Sequence, residues 1–172
     1  MTREKLLEPL SVEDWDPSIQ HIAQRLQNPL NIHKVIAHNP ALMEAYTPLR
    51  YHVVSDSSLT DRQREILILR VAHQIQSEYE WSHHVERGTA AGLTMDEIAK
   101  VKVGAASAGW AEDERLIICC VDQILEEKQL SDETAAGLLN TIGKDGLLDA
   151  VFTVSVYIAL GSLLKTFDVP ID

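Results

Sequence analysis

Cysteine is nearly absent from this chain of 172 residues, and the motifs of several large enzyme classes are missing. The two cysteines, Cys119 and Cys120, are adjacent, and a disulfide between neighbouring helical positions would be strained. We therefore expect two small core residues in a reducing compartment. The sequence has no H-E-x-x-H motif, no Cys/His pairs at zinc-finger spacing, no G-x-S-x-G, no phosphate loop and no dinucleotide fingerprint. These absences argue against a resident metal.

Positive charge is also in short supply. Fifteen Lys and Arg residues face 26 Asp and Glu residues, which gives a net charge of −11. Such a chain would be repelled by a nucleic-acid backbone or an anionic membrane, so neither is an expected partner. A small anionic substrate stays possible where a local basic group holds it.

Long apolar runs are limited to one segment, "LLDAVFTVSVYIALGSLL", over residues 147–164. Asp149 and three Ser/Thr hydroxyls argue against a membrane span, so a helix in the core or at a subunit contact is the better interpretation. The N-terminal "MTREKLLEPLSVEDW" has acidic residues and no apolar signal region. We expect a cytoplasmic protein.

Residues that start or end helices are frequent, whereas no stretch shows the sustained alternation of apolar and polar residues that is typical of β-strands. Asn39 before Pro40 predicts one helix start, Ser58 or Thr60 a second, and a Thr94/Glu97 capping box a third. Pro48 should kink or divide its helix. Further helices are predicted near Pro17–Leu26 and over residues 111–129, 132–142 and 146–166. The sequence predicts an all-α fold in one domain over 1–172, with an N-terminal arm over 1–35 that carries a short helix.

The most unusual stretch is "SEYEWSHHVERGTAAGL", residues 77–93, which ends in the helix-terminating Gly92. Glu80 and His84 are four residues apart and so share one helix face. Glu65 lies on a largely apolar face of the preceding helix, and a buried carboxylate must either pair or take up a proton. If the two helices pack antiparallel, spacing favours a contact of Glu65 with His84 and leaves its reach to Glu80 open. A Glu–His–Glu cluster would suit proton transfer.

Plainer interpretations of the same residues remain open. Glu80 and His84 could be a solvated pair, and Glu65 could complement the positive end of its helix. Tyr79 and Trp81 could be packing residues. Glu80 and His84 could also be metal ligands, with His83 or His73 nearby.

The motifs together resemble the carboxymuconolactone decarboxylase family, of the alkylhydroperoxidase-D-like superfamily. The resemblance covers residues 59–98 closely and extends loosely to about residue 165. It depends on R-x-x-E-I-x-x-L with Arg62 and Glu65, on Y-E-W-x-x-H from Tyr79 to His84, and on G-L-T-x-D-E-I. The peroxidase branch of the superfamily has the relay E-x11-C-x2-C-x3-H, which falls here on Glu65, Ser77, Glu80 and His84. Because both cysteines are missing, the resemblance argues against a thiol peroxidase.

The Y-E-W-x-x-H form is similar to the decarboxylase branch, whose members act on a carboxylated unsaturated lactone without a cofactor. The resemblance implies a lyase, and in such an enzyme we expect His84 to be the general acid, with Glu80 and Glu65 orienting it. We expect substrate contacts at Ser77, Tyr79, Trp81 and Arg70. Arg70, or another basic group of this or a neighbouring subunit, would hold the substrate carboxylate.

The resemblance further implies that residues 36–172 form a small helical domain, assembled as homotrimers or homohexamers with sites near subunit contacts. Two other classes of protein stay open. One is an alkylhydroperoxidase-like redox protein, and the other is a non-catalytic oligomeric binding protein.

Overall fold

The computed structural model describes residues 6–172, so residues 1–5 of the predicted arm lie outside the described part. Residues 6–172 form helices and turns and contain no β-strand, which confirms the all-α prediction. The α-helices are α1 (Gln20–Leu26), α2 (Asn31–Ile36), α3 (Pro40–Tyr51), α4 (Asp61–Gln74), α5 (Glu78–Ala90), α6 (Met95–Val103), α7 (Glu112–Glu127) and α8 (Asp132–Thr166). Short 3-10 turns cover Val12–Asp14 and Pro17–Ile19, and a π-helix covers His52–Asp56.

Side-chain caps fix the starts of several helices where the sequence predicted them. Asn39 accepts a hydrogen bond from the Leu42 amide, and Pro40 occupies the first position of α3. Thr60 caps α4, and Thr94 forms the predicted capping box with Glu97 at the start of α6.

Pro48 and Gly143 both lie inside helices, but only Gly143 interrupts its helix. Pro48 lies inside α3, which continues to Tyr51 and then widens into the π-helix, so the proline does not divide this helix. Gly143 has φ of +74° within α8 and separates residues 132–142 from residues 144–166. Glycine tolerates this conformation, whereas a residue with a Cβ would be strained there. The predicted break between these two helices is thus present.

The described chain divides into two compact units. One comprises the residues up to Asp56 together with Ser162–Asp172, and its core includes Trp15, Ile19, Ile22 and Met43. The other unit is Ser57–Gly161, and it holds the polar cluster singled out in the sequence.

Helix α4 is the central element of the unit Ser57–Gly161. Its residues from Arg64 to Ala72 are all buried, and the helix packs against α5, α6 and α7. A half-buried guanidinium group links α4 to α6 and α7. Arg62 donates to Glu97 of α6 and, at 2.6 Å, to Glu114 of α7. The hydrogen bond from Arg62 lowers the pKa of Glu97 to about 2, so this link is charged over the whole physiological range.

The apolar segment predicted at residues 147–164 lies in α8. By length and composition alone, α8 meets the criteria for a bilayer-spanning helix, as core helices of soluble proteins also do. About a third (33%) of its apolar window is buried, while Leu148 and Phe152 are 62% and 54% exposed. Asp149 accepts a hydrogen bond from the Ser58 amide at 2.6 Å and so fixes the turn before α4.

Candidate active site

The predicted meeting of Glu65 with His84 is present in the structure. Glu65 Oε2 lies 2.6 Å from His84 Nδ1, and only 5% of each side chain is exposed. The residues 75–77 turn the chain back from α4 into α5, with Gln76 at φ of +54°. Glu65 lies about three turns before this connection and His84 about two turns after it, so the antiparallel helices bring the two side chains together.

Gly88 allows the two helices to come close beside this pair. A Cβ added at Gly88 would lie 3.1 Å from Leu93 Cδ1, 3.3 Å from Leu69 Cδ1 and 3.8 Å from Glu65 Cβ. The glycine costs about 1 kcal/mol of helix propensity relative to alanine. Its position against α4 accounts for the cost, because a side chain here would push Leu69 and Leu93 away.

Tyr157 of α8 completes the arrangement on the other side of the imidazole. Its hydroxyl lies 3.2 Å from His84 Nε2, and the two rings meet edge to face with centroids 5.3 Å apart. Sequence analysis missed this residue. The available signal was a tyrosine inside an apolar helix, since a buried phenol normally finds a hydrogen-bond partner. Its partner, 73 residues away, has no signature in sequence spacing.

The protonation state of His84 follows from these contacts. Burial lowers the pKa of the imidazole, although the hydrogen bond with Glu65 opposes that effect. A neutral imidazole carries one N–H, and a carboxylate can only accept, so Nδ1–H donates to Glu65. Nε2 is then the basic atom and accepts from the Tyr157 hydroxyl. We call these three residues the Glu65–His84–Tyr157 relay.

Arg64 adds a cation beside the carboxylate end of the relay. Its Nε lies 3.6 Å from Glu65 Oε1, and one terminal nitrogen donates to Asp61 at 2.8 Å. The guanidinium is itself buried. The cation therefore lies against the carboxyl group that bonds to His84.

Glu80 is buried on the same helix face as His84, but it does not bond to the imidazole. Only 4% of the residue is exposed, and both carboxyl oxygens lack a hydrogen-bond partner among the described residues. Burial raises the pKa of Glu80 to about 8. At neutral pH this side chain is therefore a carboxylic acid. Ser77, the N-cap of α5, accepts from the Glu80 amide at 3.4 Å.

The other predicted substrate contacts are engaged elsewhere. The Tyr79 ring stacks on His83 with centroids 4.6 Å apart, and Lys102 lies over the Trp81 ring at 4.6 Å. Arg70 donates to both carboxylate oxygens of Asp122 and to two carbonyls at the end of α6. Since every nitrogen of its guanidinium is occupied, Arg70 is a structural link, and its predicted role on the substrate carboxylate is not retained.

The cysteines lie on α7, and burial raises the pKa of both thiols, that of Cys120 to about 12. Both are thus protonated at neutral pH, the unreactive form of a thiol.

Within residues 6–172, no group of three or more His, Cys, Asp or Glu side chains is arranged to hold a metal ion.

Comparisons with known proteins agree with the motifs. Residues 40–117 match the family model described as the carboxymuconolactone decarboxylase family. No protein with a curated function matches the chain.

Several solved structures share the fold at low sequence identity. A cysteine-to-alanine variant of the debrominase Bmp8, in complex with 2,3,4-tribromopyrrole, has a TM-score of 0.79 at 15% identity and covers 100% of this chain and 94% of that one. A peroxidase-related protein with an alkylhydroperoxidase AhpD core, from Ralstonia eutropha JMP134, has a TM-score of 0.81 at 12% identity, covering 98% and 92%. An AhpD-type protein of unknown function from Agrobacterium tumefaciens has a TM-score of 0.71 at 18% identity, covering 78% and 93%. These likenesses establish an AhpD-like fold.

Proposed function

We propose that this protein is a cofactor-independent lyase acting on a small carboxylated unsaturated lactone or related ring compound. Residues 40–117 match the model of the carboxymuconolactone decarboxylase family, which supports this proposal. The observation that carries this proposal is the buried Glu65–His84–Tyr157 relay. A carboxylate, an imidazole and a phenol in one hydrogen-bonded line form a device for general acid–base catalysis.

The relay suits the charge that decarboxylation creates. When the bond to the carboxyl group breaks, its electron pair moves into the conjugated ring, and negative charge develops on the ring carbonyl oxygen. The N–H of His84 is bonded to Glu65, so the donor to that oxyanion would be the Tyr157 hydroxyl, which would turn from His84 Nε2 to the substrate. Glu65 would stabilise the imidazolium if His84 takes up a proton. In this scheme Glu65 is a positioning residue, since it acts through His84.

The comparisons support a catalytic role on a small ring compound. The debrominase with the same fold is found in complex with a brominated pyrrole, which is a small unsaturated ring. A thiol-based peroxidase is not supported, because Ser77 and Glu80 occupy the two cysteine positions of the peroxidase relay. The two thiols that the chain does possess are protonated at neutral pH.

Turnover of 4-carboxymuconolactone, followed by ultraviolet absorbance and by release of CO₂, tests the proposal directly. His84→Ala should lower kcat/KM by about 100-fold or more, which is the usual contribution of a positioned acid or base. His83→Ala is the matched control, because His83 is adjacent in sequence but bonds to the Tyr79 carbonyl outside the relay. Absence of CO₂ release from this lactone and from related carboxylated lactones would refute the lyase, and equal loss in both variants would refute the role of His84.

We propose in addition that the chain acts as a homo-oligomer that uses the exposed face of α8. Leu148 and Phe152 are large, apolar and exposed one turn apart on this helix. An exposed apolar patch on an ordered helix commonly marks a protein–protein contact.

A further inference from the structure

Glu80 has a chemical capacity that the relay does not use. Its carboxyl group is buried, and neither oxygen has a hydrogen-bond partner among residues 6–172. Native proteins satisfy most buried polar atoms, because an unpaired one costs about 1–3 kcal/mol. An isosteric apolar side chain would fill the same space without that cost.

The relay is complete without Glu80. The Nδ1 atom of His84 is bonded to Glu65, and its Nε2 atom is bonded to Tyr157. Helix α5 also begins without any contribution from the Glu80 carboxyl group, since the hydroxyl of Ser77 supplies the cap. Neither the fold nor the relay thus accounts for an acid at this position.

Gly161 and Ile75 lie beside the carboxyl group of Glu80. A Cβ added at Gly161 of α8 would lie 3.1 Å from Glu80 Oε2 and 2.2 Å from Ile75 Cδ1. Ile75 thus borders the space that holds the carboxyl group, and its own side chain is only half-buried. Because Glu80 is only 4% exposed, a substrate ring reaches the acid only if Ile75 moves aside.

We propose that Glu80 is the catalytic residue that delivers a proton to the substrate carbon after CO₂ has left, a role that deepens the proposed lyase function and rests on it. The carbon–carboxyl bond breaks, CO₂ departs, and the electron pair is held in the ring. The Glu80 O–H bond then breaks, a C–H bond forms, and Glu80 is left as a carboxylate that a solvent proton restores. Burial keeps the acid protonated at neutral pH, where the imidazole of His84 is neutral and has only the N–H that Glu65 holds.

The test compares wild-type protein with Glu80→Gln, Glu80→Asp and the control Glu78→Gln, whose side chain is exposed two residues earlier on α5. Glu80→Gln keeps the shape but has no acidic proton, so kcat should fall by about 100-fold or more while KM changes less than about threefold. Glu80→Asp should recover part of kcat, and Glu78→Gln should match the wild type. The wild-type kcat should decline above about pH 8 as the acid ionises.

A second readout needs no substrate. The infrared spectrum of the free protein at pH 6 should contain the band of a protonated carboxylic acid that shifts in D₂O and is absent from Glu80→Gln. Lactone turnover by Glu80→Gln at the wild-type rate, or an identical acid band in both proteins, would overturn the assignment while leaving the lyase intact. A wild-type protein that shows the acid band yet releases no CO₂ would refute the proposed function, and the role of Glu80 with it.

Discussion

Replacing Glu80 with glutamine should stabilise the protein, and by an amount that depends on pH. The unfolded chain has an ordinary glutamate pKa of 4.5, whereas burial raises the pKa in the folded protein to about 8. Between these values the folded protein holds a proton that the unfolded chain has released. Stability therefore falls as pH rises through this window, by about 1.4 kcal/mol per pH unit.

The magnitude follows from the width of the window. From pH 4.5 to pH 7 the accumulated cost is about 3 kcal/mol, and it stops growing above about pH 8, where the folded group also ionises. Glutamine never ionises, so the Glu80→Gln variant escapes this cost. Its advantage in free energy of unfolding should be small at pH 5, reach about 3 kcal/mol at pH 7 and level off above pH 8.

Urea denaturation of both proteins at pH 5, 6, 7, 8 and 9 measures the difference. His84 does not disturb the comparison. Its lowered pKa weakens the folded state below pH 6.5 in both proteins alike, so that contribution cancels. Glu78→Gln, on an exposed position of the same helix, should give curves parallel to the wild type. Parallel curves for Glu80→Gln as well would mean that Glu80 is ionised in the folded protein at neutral pH. Glu80 would then have no proton to deliver.

Three further changes test the surroundings of the site. Tyr157→Phe keeps the ring but removes the donor to His84 Nε2, so steady-state kinetics should show a fall in kcat of about tenfold or more. Urea denaturation should show a loss of about 1–3 kcal/mol, because the buried Nε2 atom is left unpaired, and an unaltered kcat would place the phenol outside the reaction. Gly161→Ala puts a Cβ 2.2 Å from Ile75 Cδ1, the far end of a half-buried side chain that can turn away, so urea denaturation should show a loss of about 1 kcal/mol or less. A loss above about 3 kcal/mol would show that Ile75 cannot move. Phe152→Glu charges the exposed face of α8 and should lower the mass measured by light scattering, whereas an unchanged oligomer would move the interface elsewhere.

The helices were predictable to the extent that their ends depend on local chemistry. Asn39, Thr60 and Thr94 cap with their own side chains, and such bonds reach only two or three residues along the chain. Helix α2 was missed because its N-cap, Leu30, offers no side-chain acceptor. Pro48 was expected to interrupt α3, yet the helix tolerates the missing N–H, and sequence alone does not report the packing that permits this.

The site was predictable to the same limit. Spacing on a helix placed Glu80 and His84 on one face, and antiparallel packing across a short turn brought Glu65 to His84. Spacing does not say where a carboxyl group points, so only the three-dimensional structure shows that the Glu80 oxygens have no hydrogen-bond partner among the described residues. The contact with Tyr157 is a tertiary event between α5 and α8, and no local pattern encodes it.

The relation between the relay and position 80 leads to a last prediction. When the peroxidase relay E-x11-C-x2-C-x3-H is laid on this chain, its glutamate and histidine fall on Glu65 and His84. Its two cysteines fall on Ser77, the N-cap of α5, and on Glu80, the third residue of that helix. If the fold supplies proton handling and position 80 supplies the chemistry, the double variant Ser77→Cys/Glu80→Cys should gain thiol-dependent consumption of organic hydroperoxide. A helix N-terminus lowers the pKa of a thiol, which favours the nucleophilic thiolate.

Hydroperoxide loss in the presence of a dithiol reductant measures this gain, and Ser77→Cys alone, which lacks the second thiol, is the control. The same double variant should lose CO₂ release, because it no longer has the buried acid. A double variant with both thiols accessible and titratable but no peroxide turnover would show that the Glu65–His84–Tyr157 relay does not serve thiol chemistry. Replacing the acid at position 80 by a thiol would then not be enough to change the reaction that this fold catalyses.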